Sequence, residues 1–233
     1  MLVYGRNVAI EFLESGKKVK KAILQSGFND EKLLSLLEKN KISTKIVDKT
    51  EIDVVACGNH QGIILDVEDF RYSKLEDIIK DDESIIVLLD HLEDPHNLGA
   101  IIRTCEAAGI DGIVIPKDRS VSVNATVMKT SAGAVNNIRV AMVTNLKMAI
   151  DDLKAAGYWI IGTDMENSID YRKIDYKGKV VIVIGNEGTG ISRLVRKECD
   201  FMAKIPMYGK VNSLNASVAS ALIVYEAVRQ QRG

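Results

Sequence analysis

The stretch Val181-Ile-Val-Ile-Gly-Asn-Glu-Gly-Thr-Gly-Ile-Ser192 joins an uninterrupted apolar run to a glycine-rich polar loop and then to a helix start. A strand covered on both faces reads as a continuous apolar run, because neither side of its pleat meets water. The pattern recurs outward from this point. Residues 85–89, 113–115, 138–143 and 159–162 are further short apolar runs. Segments with helical patterning lie between them, near 97–108, 123–132, 145–156 and 190–198, and a last helix is expected from about Leu214 to Gln230. Apolar strands alternating with helices predict an α/β fold built on a mainly parallel sheet.

The first part of the chain has a different texture. Val8, Ile10, Phe12 and Leu13 suggest a helix, and Leu33, Leu34, Leu36 and Leu37 a second one. Ala22-Ile-Leu24, following the basic run Lys17-Lys-Val-Lys-Lys21, reads as a strand, as do Ile46-Val47 and Ile63-Ile-Leu65. Residues 1–68 therefore form a small α/β unit. Residues 69–84, closing with Asp81-Asp-Glu83, read as a charged linker with a short helix through Leu75, Ile78 and Ile79. The larger domain is expected over 85–233.

The 233 residues carry 46% hydrophobic and 27% charged side chains, enough for a buried core. A formal net charge of −1 excludes a protein that is basic overall, so a nucleic-acid partner needs local basic patches. Cys57, Cys105 and Cys199 are odd in number and lack Cys-x-x-Cys pairing, which fits free thiols in a reducing compartment. His60, His91 and His96 show no ligand spacing, and no metal is expected. With no apolar run near ~18 residues and no signal-peptide pattern at the N-terminus, a cytoplasmic protein is expected.

Open α/β sheets bind ligands beyond the carboxyl ends of their strands. Three loops there share one make-up, a strand running into polar groups and a helix start: residues 88–103, 181–192 and 204–222. Gly185-Asn-Glu-Gly-Thr-Gly190 fails the dinucleotide fingerprint, since position 193 is Arg, and no Gly-Lys-Ser/Thr follows for a phosphate loop. It is either a tight strand-to-helix turn or a ligand loop in which Gly185 lets backbone approach a flat molecule and Glu187 places a carboxylate. Asn97 is either a helix cap after Pro95 or a polar group in a site. Six residues on, nearly two helical turns, Arg103 is expected on the same side. Its apolar neighbours Ile101, Ile102, Ala107 and Ala108 predict an anionic partner for it, either a carboxylate or a phosphate. Ser213 reads as a cap or a site residue, and Asn215 follows it. Leu214, Val218, Leu222, Tyr225 and Val228 form an apolar stripe suited to a core or a subunit interface.

Together the three loops resemble the signature motifs of the SpoU/TrmH family of ribose 2′-O-methyltransferases in the SPOUT superfamily. The matching residues are Asn97 with Arg103, then Gly185-Asn-Glu-Gly-x-Gly190, then Ile205-Pro-Met with Asn212-Ser-Leu-Asn215. The N-terminal segment is similar to the ribosomal-protein-L30e-like RNA-binding domain of a subset of that family, through Tyr4-Gly5-Arg6-Asn7 and His60-Gln61-Gly62-Ile63. The two-domain layout is similar to that of its 23S rRNA guanosine 2′-O-methyltransferases. The resemblance implies a trefoil-knotted α/β domain, S-adenosylmethionine bound in the knot and an obligate homodimer. It implies catalytic roles for Arg103, Asn97, Glu187, Ser213 and Asn215, and cofactor contacts from Thr163, Gly185, Ile205 and Leu214. For RNA, the expected footprint is Lys17, Lys18, Lys20 and Lys21, the densest basic cluster, with Arg6 and Arg119 as further candidates.

Overall fold

The computed structural model describes residues 1–16, 18–56, 59–164 and 168–233, which divide into two compact units. The first contains residues 1–71 and 123–133, and the second residues 72–122 and 134–233.

In the first unit β1 (Leu2–Tyr4), α1 (Arg6–Glu14), β2 (Val19–Gln25), α2 (Glu31–Lys39), β3 (Thr44–Val47), α3 (Lys49–Val55) and β4 (Ile63–Val67) follow in order. The sheet runs β1-β4-β2-β3, with β2 and β3 parallel and the other pairs antiparallel. Ile23, Val47, Ile52 and Ile64 form a core beneath it. β2 begins earlier than the sequence suggests: Lys20 and Lys21 are exposed strand residues, and a bulge lies between Val19 and Lys21. A basic run conceals a strand when its charges can point to water.

The second unit opens with β5 (Ser84–Asp90), α4 (Pro95–Ala107) and β6 (Gly112–Pro116). The next helix, α5 (Ala125–Thr130), belongs to the first unit, so the units do not follow the contiguous division of the sequence. The second unit resumes with β7 (Val140–Val143), α6 (Leu146–Ala155), β8 (Trp159–Thr163), β9 (Ile169–Asp170), β10 (Lys179–Gly185), α7 (Arg193–Glu198), β11 (Phe201–Lys204) and α8 (Ala216–Arg232). Its sheet runs β7-β6-β5-β10-β8-β11-β9, with every neighbouring pair parallel. All seven residues of β5 are buried, as a strand covered on both faces requires.

The expected helix through Leu75, Ile78 and Ile79 does not form. Ser73 instead bridges in parallel fashion to Ala141, and Ile78 is fully buried in the core with Leu88, Val114 and Ile150. Packing outweighs the charge of the flanking residues, so much of this segment belongs to the larger unit. Among the described residues, no helix is long and apolar enough to cross a membrane.

Candidate active site

The loop after β10 closes on itself. Asn186 N–H donates to the Gly190 carbonyl at 3.0 Å, and Gly190 N–H returns to the Asn186 carbonyl at 2.9 Å. A side chain at position 185 would lie 2.2 Å from the Gly190 carbonyl carbon and 2.4 Å from the Ile191 nitrogen. Glycine is therefore demanded by the loop's own closure, the tight-turn alternative of the sequence reading, and Gly185 also faces the cavity described below. Asn186 Nδ2 donates to the His91 carbonyl at 2.9 Å, tying this loop to the one after β5. Buried Asp90 adds a second tie: its carboxylate accepts from Ser192 N–H at 2.6 Å and meets His91 Nδ1 at 2.5 Å.

α4 is capped by Asp94, which accepts from His96 N–H at 3.0 Å, and Pro95 occupies the first turn. That releases Asn97 from the capping role the sequence allowed. Asn97, 8% exposed, donates through Nδ2 to Glu187 Oε1. Its Oδ1 accepts from Asn215 Nδ2 at 2.9 Å. Asn215 caps α8 with its own Oδ1, accepting from Ser217 N–H at 2.9 Å, so Ser213 is not the cap and the helix starts two residues later than expected. One chain of side-chain hydrogen bonds, Glu187–Asn97–Asn215, thus joins all three loops.

Beside this junction lies a cavity of about 240 Å³. Thr163, Gly185, Glu187, Ile205, Ser213 and Leu214 all line it. Thr163 Oγ1 donates to the Val183 carbonyl at 3.0 Å, which engages its hydroxyl within the sheet. The cavity also takes in Asp164, Ala216, Ala219 and Ile223, which the sequence reading passed over. Asp164 carried the available signal, a polar residue directly after a strand, and it forms an ion pair with Arg196.

Comparison with known proteins fits this geometry. The model of the SpoU rRNA methylase family matches residues 84–225, and that of RNA 2′-O ribose methyltransferase substrate binding matches residues 2–73. The chain belongs to the SpoU rRNA methylase family. A Staphylococcus saprophyticus protein named as a TrmH family tRNA/rRNA methyltransferase is 44% identical, over 99% of this chain and 96% of its own length. The SpoU methyltransferase AviRb of Streptomyces viridochromogenes, solved with its cofactor AdoMet, superposes with a TM-score of 0.87 at 26% identity, covering 99% of this chain and 89% of that one. An AdoMet-bound rRNA methyltransferase of Sinorhizobium meliloti gives 0.84 at 30% identity, covering 100% and 88%.

As a SpoU methylase the protein is an RNA methyltransferase whose methyl donor is S-adenosylmethionine. The residues present are of a kind that could hold that donor: Ile205, Leu214 and Ile223 are apolar, as an adenine needs, Ala216 and Ala219 leave room, and Asp164 and Glu187 add polar groups at the wall.

One expectation for this SpoU methylase needs correction, that Arg103 shares a side with Asn97. Six residues advance an α-helix by about 600°, some 120° short of two turns. Asn97 is accordingly buried while Arg103 is exposed and absent from the cavity wall, and no carboxylate pairs with Arg103 among the described residues. Within the basic cluster one lysine is paired. Lys18 lies 3.3 Å from Glu68 and holds that carboxyl below its usual range, while Lys17 lies outside the described residues. Lys20, Lys21, Arg6 and Arg119 are exposed.

Proposed function

We propose that the protein methylates a ribose 2′-hydroxyl in RNA, with a guanosine of 23S rRNA as its target, and works as a cytoplasmic homodimer. The observation that carries this reading is the Glu187–Asn97–Asn215 chain of hydrogen bonds, which fixes three loops around one cavity at the strand ends. Bound there, S-adenosylmethionine supplies an electrophilic methyl group on a sulfonium. The chain has to orient the ribose and manage its proton, and orientation alone contributes roughly 7–11 kcal/mol when reacting atoms are held near 3–3.5 Å.

Thr163, Gly185, Ile205 and Leu214 hold the cofactor. Ser213, exposed on the cavity wall, contacts the ribose. Asn97 and Asn215 act one step back, because their amides already bind one another, and they keep Glu187 and the third loop in place. Arg103, exposed and off the cavity wall, serves as a cation for an RNA phosphate. As a base it would be ineffective, since at pH 7 its neutral form is on the order of one part in a million. The proton passes to the phosphate or to water. Lys20, Lys21 and Arg6 contribute to the RNA footprint, joined by Lys17 and Lys18.

The dimer reading rests on α8. Its inner side buries Ser220, Ile223, Val224 and Ala227, while Leu214, Val218, Leu222 and Tyr225 remain 39–51% exposed as a second apolar stripe. The insertion of β10 between β5 and β8 is in keeping with a threaded chain, and we read it as the trefoil knot. A tRNA substrate is the second reading, favoured by the tRNA/rRNA naming of the relatives.

Incubation with S-adenosylmethionine and separate 23S rRNA and tRNA transcripts, followed by nucleoside mass spectrometry, tests the reaction. The expected product is 2′-O-methylguanosine from 23S rRNA. A product in tRNA alone moves the target, a methylated base refutes the ribose chemistry, and no transfer to either points to a non-catalytic RNA-binding factor.

A further inference from the structure

We propose that the first unit contains a recognition cleft for one unpaired RNA nucleotide, whose base stacks on the Arg6–Phe28 pair while Gln25 and Asn29 read its edge and Lys49 takes its phosphate. The cleft measures about 520 Å³ and lies where the loop after β2, the start of α3 and the turn before β4 come together. This rests on the reading of the first unit as an RNA-binding module.

One wall is rigidly built. Arg6 N–H donates to Gln61 Oε1 at 2.8 Å, and Arg6 Nη1 lies 3.5 Å from Asp30. The guanidinium sits 5.4 Å from the centre of the Phe28 ring, yet the Arg6 side chain is 46% exposed. Phe28 in turn packs against Gly62, at φ +83°, where a side chain would come within 2.9 Å of the ring. Buried His60 fixes the adjacent turn. Its Nδ1 accepts from Gly62 N–H at 3.0 Å, which leaves the proton on Nε2 to be donated to Asp53 at 2.7 Å.

The other groups are uncommitted. Among the described residues, the side chains of Gln25, Asn29 and Lys49 make no hydrogen bond or ion pair, and Asn29 and Lys49 are exposed. The cleft thus offers a fixed planar platform, amides that both donate and accept, and a cation. Those are the groups that recognise a splayed-out base: a guanidinium or aromatic plane for its face, hydrogen bonds for its edge and a charge for its backbone. The carboxylates close by, Asp30 and Asp53, already face Arg6 and His60. A base stacked inside a duplex has no free face, so duplex RNA is excluded from this cleft.

The test uses the full-length protein with labelled octamers of adenosine and of uridine, and an RNA duplex of equal length. Single-stranded octamers are expected to bind more tightly than the duplex. Arg6→Ala and Phe28→Ala should each weaken binding roughly 5- to 150-fold, the range for losing one stacked base. Lys49→Ala should lower the slope of log affinity against log salt by about 0.7. Because Phe28→Ala disturbs packing, Asn29→Ala provides a second variant on an exposed side chain, with several-fold weaker binding expected. Unchanged affinity in the Arg6, Asn29 and Lys49 variants, equal binding of the duplex, or no octamer binding by the unaltered protein would each overturn the cleft. S-adenosylmethionine titrated into the same samples reports separately on the methyltransferase reading, which fails if the donor does not bind even when the octamers do.

Discussion

Asn97 donates to Glu187 and accepts from Asn215, so a single buried amide holds two loops. Asn97→Ala removes both bonds, and its exposed partners Glu187 and Asn215 then turn to water. It should cost about 0.5–1.5 kcal/mol of stability for each bond, the net worth of an ordinary hydrogen bond. Displacement of the loops by even ~1 Å should lower methyl transfer about 100-fold. Thermal unfolding and single-turnover assays check both figures, and unchanged turnover would remove Asn97 from the site's support. The sequence named all three residues, but not that they bind one another. That partnership depends on Asp94 taking the cap, which residue preferences alone leave open. Arg103 was legible as an arginine among apolar neighbours, yet its exposure follows from helix phase. Cys199 offers a test by pH. Burial pushes its thiol up to about 12, and Cys105, fully buried, is raised as well. A folded-state pKa above the unfolded value, near 9, means that the stabilisation is complete below about pH 9 and is lost as pH rises towards 12. The melting temperature should therefore fall above pH 9. At pH 8, peptide mapping after iodoacetamide should find Cys105 and Cys199 modified at least ~100-fold more slowly than in the unfolded chain.

Helix α8 shows how far patterning reaches and where it stops. The stripe of Leu214, Val218, Leu222 and Tyr225 was visible in the sequence, but spacing could not decide between core and interface. Exposure takes the stripe out of the core, because the opposite side of α8 is the buried one, and leaves it open to the interface proposed above. Leu222→Glu places a charge on the exposed stripe and should turn the proposed dimer into a monomer while leaving the fold intact. Sedimentation velocity reads the outcome, and a dimer that survives the substitution would move the interface elsewhere. The segment before β5 shows the opposite failing. Its run of charge suggested a linker, and Ile78 gave no hint from local context that it fills the core between α6 and the sheet. Long-range packing, invisible to a short window, outweighs local composition there.

The two units together account for RNA methylation by a chain with a net charge of −1. In the proposed reaction, positive charge is placed locally and the chemistry lies at the carboxyl ends of β8, β10 and β11, whose terminal residues Thr163, Gly185 and Lys204 line one cavity. Strands β5, β6, β7, β8 and β10 of the parallel sheet were legible as apolar runs, whereas β9, only Ile169–Asp170, carries no such run. The placement of residues 123–133 with the first unit was not, since a short helix carries no mark of the unit it packs against. Gly185 gives the sharpest access to the cavity: a methyl group there collides with the Gly190–Ile191 backbone, so the loop cannot close, yet no side chain contacting a donor has been altered. Calorimetric titration of S-adenosylmethionine into the unaltered protein and into Gly185→Ala is the direct measurement. One donor per chain is predicted for the former and clearly weaker uptake for the latter; no uptake by the unaltered protein, or equal uptake by both, would contradict the account.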